Sequence, residues 1–334
     1  MTALGSSLDF RERSAARLAK FAWGVLGFTV FVVLFGAVVR VTGSGAGCGQ
    51  HWPTCHGELT HLPSSLETAI EYTHRVTSGL SLLLVVAWLI GAYRVLPKRH
   101  AGRPLTVSVT VLMIVEALIG AVLVLLALVG ESRSPLRALV MPLHLVNTSL
   151  LLGAMAWSAM LIRRPPGPWR ARPASSLEWL VAASLLATLI VSGTGAVTAL
   201  GDTLFPVREI GLQHRLGEDY GAGAHWLQRF RVVHPIVAFA AALFIGRVFQ
   251  AVYEQQRRAR AGRAALVTLA LVITQLVVGL LNVWLSAPAW MQIVHLAFAV
   301  AVWLGQVVTL RFLLDQVAPA RVSEAPASGA REGA

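Results

Sequence analysis

The chain has 334 residues, of which 56% are hydrophobic and only 13% charged, and it carries a formal charge of +12. A soluble domain holds about 25% charged residues, so composition and a mean hydropathy of +0.67 exclude a soluble enzyme or scaffold. The basic residues sit in short loops between apolar runs, which is how membrane topology distributes them, and no nucleic-acid partner is expected.

Residues 1–19 read as a polar cytoplasmic tail with Arg11, Arg13 and Arg17. The apolar run from Phe21 to Val39 follows. It exceeds a signal-peptide core of roughly 7–15 residues, and no Ala-x-Ala site follows it. It is therefore read as an uncleaved first span. Windows of about 20 apolar residues place eight spans, at 20–40, 68–93, 105–129, 138–162, 177–199, 229–250, 264–285 and 289–313. The fold class is an all-α integral membrane protein. Residues 20–162 form an N-terminal four-helix bundle, 163–176 a cytoplasmic linker and 177–313 a C-terminal four-helix bundle. Residues 314–334, rich in Ala, Pro, Ser, Glu and Arg, read as a disordered cytoplasmic tail. Most Lys and Arg fall before span one, after spans two, four and six, and after span eight. Both termini are then cytoplasmic, and the long loops 41–67 and 200–228 face outward. The expected location is a bacterial inner membrane, crossed several times.

Span two opens with Glu71-Tyr72-Thr73-His74-Arg75. Positions three apart share a helix face, and ionisable groups inside a span are costly and read as functional by default. The pattern recurs, because His144, His234 and His295 each lie near the outer start of spans four, six and eight. Each falls about six residues in, roughly 9 Å at the helical rise, so all four share one level. A single such histidine is as readily a hydrogen-bonded core residue as a ligand. Four at one depth, two per half, suit haem iron, which takes two axial ligands across a flat ring. Zinc calls for three or four close ligands, often with Cys or carboxylate.

The two halves repeat. Glu116-Ala-Leu-Ile-Gly120 in span three resembles Gln275-Leu-Val-Val-Gly279 in span seven. His144-Leu145 with Gly153 echoes His295-Leu296 with Gly305, and Gly43-Ser44-Gly45 has a loose counterpart in Ser192-Gly193-Thr194-Gly195. Four spans per copy make the repeats parallel, related by a pseudo-two-fold axis along the membrane normal.

Arg40, Arg75, Arg229 and Arg231 stand at outer span ends, against the topological trend. They are candidate anchors for haem propionates, since arginine pairs bidentately with carboxylates; ordinary interfacial snorkelling is the competing reading. Cys48 and Cys55 are the only cysteines, both in the first outer loop. An oxidising outer side favours a disulfide; metal binding with His51 and His56 ranks below it. The spacing is not that of covalent haem attachment. Glu71, one turn outward of His74, is the candidate catalytic carboxylate, and its counterpart in the second repeat is Arg231. Glu116 lies mid-membrane opposite neutral Gln275 and reads first as a packing residue with no assigned role.

The run Gly36-Ala-Val-Val-Arg40-Val-Thr-Gly-Ser-Gly45, the Cys48/Cys55 loop with Trp52-Pro53, and Glu71-x-x-His74-Arg75 resemble haem A synthase. The resemblance spans all eight helices and is most specific over residues 36–75. It implies an oxidoreductase that converts haem O to haem A by oxidising a porphyrin methyl to a formyl group through successive hydroxylations. It implies a resident haem b held by His234 and His295, substrate haem between His74 and His144, and an essential glutamate at Glu71. It also implies haem O synthase and oxidase assembly factors as partners, beside membrane lipid, and allows a homo-oligomer. The chain departs from some members by having no cysteine in residues 200–228. The residues alone support a second reading, a di-haem cytochrome b exchanging electrons with quinone. A tandem-repeat transporter fits less well, because matched Gly/Pro-broken helices are missing from the two halves.

Overall fold

A computed structural model of the chain describes residues 3–60, 62–164, 174–207 and 209–315. Most of the expected linker and tail lies outside these residues. The regular elements described are helices: α1 (Ala3–Val41), α2 (Leu66–Val95), α3 (Gly102–Leu125), α4 (Pro135–Leu161), α5 (Ser176–Leu204), α6 (Leu212–Tyr220), α7 (Trp226–Arg229), α8 (Val233–Gln255), α9 (Arg260–Trp284) and α10 (Ala289–Leu314), with two single 3₁₀ turns. Eight of these segments are long and apolar enough to cross a bilayer. The chain is an all-α, multi-pass membrane protein.

Local chemistry sets the boundaries. Ser65, Ser134 and Ser175 cap α2, α4 and α5 by accepting the N–H of Thr68, Leu136 and Glu178, and Glu178 returns the bond to Ser175 as a capping box. Pro135 occupies the first position of α4, where a missing N–H costs nothing. The outward ends of α3 and α9 close in the same way. At Ala127 (φ 51°) and Ser286 (φ 61°) the chain turns left-handed. Leu128 N–H then reaches Leu123 O at 2.8 Å, and Ala287 N–H reaches Asn282 O at 2.7 Å, the double-bonded C-terminal turn that satisfies the last carbonyls.

Several helix ends shift by five residues or more from the sequence reading, α5 to Leu204 and α8 to Gln255 among them, and three differences have a clear local cause. Helix α1 begins well inside the segment read as a polar tail. Its Leu18 and Ala19 are 7% and 5% exposed and join the core, so burial extends the helix past the apolar run. Helix α3 stops at Leu125, short of 129, because of the turn at Ala127. The sixth span is not one helix: α7 ends at Arg229, a 3₁₀ turn covers Phe230–Val232, and α8 starts at Val233. Pro235 lacks an N–H and sits in the first turn of α8, where that loss costs least, next to His234.

Helix α1 packs on α2 and α4, α2 on α3, and α3 on α4; α5 packs on α8 and α10, α8 on α9, and α9 on α10. Each group of four thus closes with the same neighbour order. The groups meet where α4 touches α5 and α10 and where α1 touches α10. Trp88, Leu151, Leu152 and Met155 of the first group share one apolar core with Val300, Trp303 and Val307 of α10. Leu83, Val111, Leu186, Phe239 and Ile273 are exposed and make up the lipid-facing side.

Candidate functional site

The four histidines come from α2, α4, α8 and α10. Three of their Nδ1 atoms, on His74, His144 and His295, are buried without a hydrogen-bond partner. Buried ring nitrogens normally find one; His144 Nδ1 has Glu116 Oε1 3.4 Å away, beyond good hydrogen-bond geometry. In the second group the His234 and His295 rings face each other with centroids 6.2 Å apart and planes at 84°.

Glycines let three of these rings press onto a neighbouring helix. A Cβ at Gly36 would stand 3.1 Å from His74 Cε1, one at Gly195 would stand 3.0 Å from His234 Cε1, and one at Gly279 would stand 3.1 Å from His295 Cε1. Those gaps are too small for a methyl group without moving the imidazole. The sequence reading places Gly195 and Gly279 within repeated motifs and Gly36 within the run that resembles haem A synthase, but gives none of them a role. Their signal is that Gly36 and Gly195 stand at equivalent places on the first helix of each half. Gly195→Ala is expected to displace His234 and reduce the haem content of the purified protein severalfold; unchanged content at wild-type yield contradicts this seat.

The outer ends of the two groups are built differently. Cys48 and Cys55 form a disulfide, as the sequence reading expects. Glu71, 3% exposed, accepts Cys48 N–H on Oε2 at 2.7 Å and Arg75 Nε on Oε1 at 3.1 Å. Arg75 in turn donates to the carbonyls of His51 and Thr54. The carboxylate therefore binds the disulfide loop to the helix that carries His74. The bridge closes a short loop and contributes at most about 3 kcal/mol through chain entropy. Replacing both cysteines by Ala is expected to leave the helical bundle folded, read by circular dichroism, while reducing activity; loss of the helical signal would contradict it.

At the second outer end Arg231 binds Asp219 at 2.7 Å and Asp202 at 3.1 Å, and Arg215 binds Asp202 at 2.8 Å. All four side chains are at most 6% exposed. Arg231 also donates to the carbonyls of Gly201 and Phe205. This network clamps the third outer loop, and the sequence reading misses it because its members come from three separate segments. Arg40 lies on α1 but donates to Ala199 O (2.9 Å) and Thr203 Oγ1 (2.6 Å) of α5 and to Gln292 Oε1 (3.0 Å) of α10. It thus joins the two groups. Arg229 is exposed at the end of α7. Of the four candidate anchors, Arg75 and Arg231 are already paired with carboxylates, and Arg40 bonds only neutral acceptors. His51 and His56 are in the first outer loop, and among the described residues no cluster of three His, Cys, Asp or Glu could hold a metal ion.

Residues 19–307 match the family COX15-CtaA, described as cytochrome oxidase assembly protein. A protein of Thermus thermophilus named protoheme IX farnesyltransferase is 44% identical over 289 residues, covering 86% of this chain and 47% of that protein. The chain thus spans about half the length of that relative. A haem A synthase of Staphylococcus haemolyticus is 28% identical, covering 86% of this chain and 91% of the relative. One from Listeria welshimeri is 26% identical over 82% and 88%. With the family matched along most of its length and a helical bundle around four inward histidines, the chain belongs to the COX15-CtaA family of cytochrome oxidase assembly proteins.

Proposed function

We propose that this protein is a haem A synthase, which oxidises a methyl group of haem O to the formyl group of haem A. The observation that carries the reading is the set of four histidines, two in each helical group, three of them seated against glycines. The fit to haem is tested by the second pair. An imidazole nitrogen binds a first-row metal at about 2 Å; two such bonds and two ring half-widths come to about 6 Å, against a centroid spacing of 6.2 Å. His234 and His295 are the proposed axial ligands of a resident haem b, which supplies one-electron transfer when bound. His74 and His144 are the proposed ligands of the substrate haem O.

The chain's own residues then divide the work. Glu71 holds Arg75 and the disulfide loop over the first pair, one helical turn outward of His74, and is the proposed proton-handling carboxylate. Its near counterpart Arg231 is committed to Asp202 and Asp219, so a guanidinium locked in an ion-pair network stands in the second half where the first has a carboxylate. Arg40, bonded only to neutral acceptors, and exposed Arg229 are the preferred propionate anchors. Both termini are proposed to face the cytoplasm, on the strength of Arg17, Lys20, Arg94, Lys98 and Arg163 at the corresponding helix ends.

The Thermus relative carries a transferase name and about twice the matched length, whereas the Staphylococcus haem A synthase is covered almost entirely. An enzyme that makes haem O is therefore the proposed supplier of substrate, and oxidase assembly factors the proposed recipients of product. The function is tested by supplying haem O to membranes that contain the chain and extracting the haems. Haem A should appear with the chain and be absent without it; no haem A in either would contradict the assignment.

A further inference from the structure

We propose that Glu116 is a positioning residue for His144, accepting the N–H of the imidazole nitrogen that does not ligate, and that this charged contact sets the first haem site apart from the second. The inference rests on the reading of His144 as an axial ligand. Glu116 Oε1 lies 3.4 Å from His144 Nδ1, and that nitrogen is buried without a hydrogen bond. A small rotation of the ring completes the donation. The carboxylate is itself held in place from α4: Asn147 Nδ2 donates to Oε2 at 2.6 Å, and Thr148 Oγ1 donates to Oε1. Asn147 also donates to Leu112 O at 3.1 Å, which ties it to the helix that carries Glu116. Among the described residues none of the carboxylate's partners is a guanidinium or an ammonium group. Its charge therefore faces the imidazole and two neutral donors.

The second half lacks all three parts of this arrangement. Gln275 stands where Glu116 does and meets the His295 ring with its amide nitrogen, 3.3 Å from Nε2. The positions that follow His295 as Asn147 and Thr148 follow His144 are Phe298 and Ala299. The carboxylate and both of its donors thus occur together in one half and are missing together from the other. The glycines point the same way. Gly279 is pressed by His295, while its counterpart Gly120 would meet nothing within 4 Å; the His144 ring stands toward Glu116 instead of that glycine.

A ligating histidine that gives its other N–H to a carboxylate is fixed in tautomer and orientation and becomes a stronger donor. A stronger donor stabilises the oxidised metal, so haem held by His144 should have a lower midpoint potential than the same haem beside a neutral amide. Loss of such a partner typically weakens metal binding about 10–100-fold.

The test titrates the purified full chain and its variants with ferric haem O and follows the midpoint potential by spectroelectrochemistry. Glu116→Gln should weaken haem O binding about 10–100-fold and raise the midpoint of the haem bound there, leaving the haem of His234 and His295 unchanged. His144→Ala is the control for the underlying reading: if the low-spin haem O signal survives it, His144 is not a ligand and that reading fails. If His144→Ala abolishes the signal while Glu116→Gln leaves affinity and potential at wild-type values, the positioning role is overturned and Glu116 is a packing residue. If Glu116→Gln does not fold, Thr148→Val, which removes one donor to the carboxylate, must still shift the potential, and no shift overturns the proposal.

Discussion

His234→Ala and His295→Ala should each remove the low-spin b-type absorption of the purified protein. The two rings stand 6.2 Å apart with no side chain shared between their contacts: His234 Nδ1 meets Thr194 Oγ1 at 3.2 Å, and His295 Nε2 meets the Gln275 amide at 3.3 Å. On the proposed assignment, removing either ring would leave the iron with one strong-field ligand, and low-spin character requires two. His74→Ala should leave this signal intact, because its ring belongs to the other helical group and packs on Gly36 and Phe35. An unchanged spectrum in both second-half variants would mean that the resident haem is held elsewhere.

Glu71→Gln should keep the fold and the resident haem and lose most conversion of haem O to haem A. Oxidising a methyl to a formyl group removes protons as well as electrons, and a positioned carboxylate typically contributes about 10²–10⁴-fold to proton transfer. Glutamine keeps the shape and one acceptor, so Cys48 N–H can still be satisfied, but it removes the charge that faces Arg75. Haem O or a hydroxylated product should accumulate on the protein. The geometry also gives Glu71 a second task, since it binds the disulfide loop to α2. If that were its whole role, Glu71→Gln would lower haem occupancy, and each bound haem would turn over at a near-normal rate. Occupancy and product per bound haem, measured in one preparation, separate the two.

The membrane spans are legible in the sequence because a bilayer imposes long apolar windows that no other constraint erases. The short third-loop helices α6 and α7 are not, since polar segments of that size carry no lasting periodicity and are fixed by tertiary contacts. The break before α8 is readable in part from Pro235, which favours a helix's first turn, although Pro142 stands inside α4. The histidines stand out through depth and repetition. Their glycine seats are visible only as motif fragments, because a close approach between helices leaves no trace beyond the missing side chain. Arg40 is recognisably out of place, yet its reach into α5 and α10 depends on how the two groups pack. The Asp202–Arg215–Asp219–Arg231 network is hidden for a related reason: oppositely charged residues far apart in sequence give no local pattern. Glu116 and Gln275 form a matched pair in the sequence, and only the fold reveals that both face a histidine.

The central claim is that one half holds a haem to be modified and the other a haem that stays. It is tested most directly by purifying the protein, extracting its bound haems and identifying them by mass. The account predicts haem B together with haem O, a hydroxylated haem or haem A, and predicts that His74→Ala or His144→Ala removes the second class while haem B remains. Haem B alone, in two equivalents lost independently from the two halves, would contradict it and identify the protein as a di-haem electron carrier.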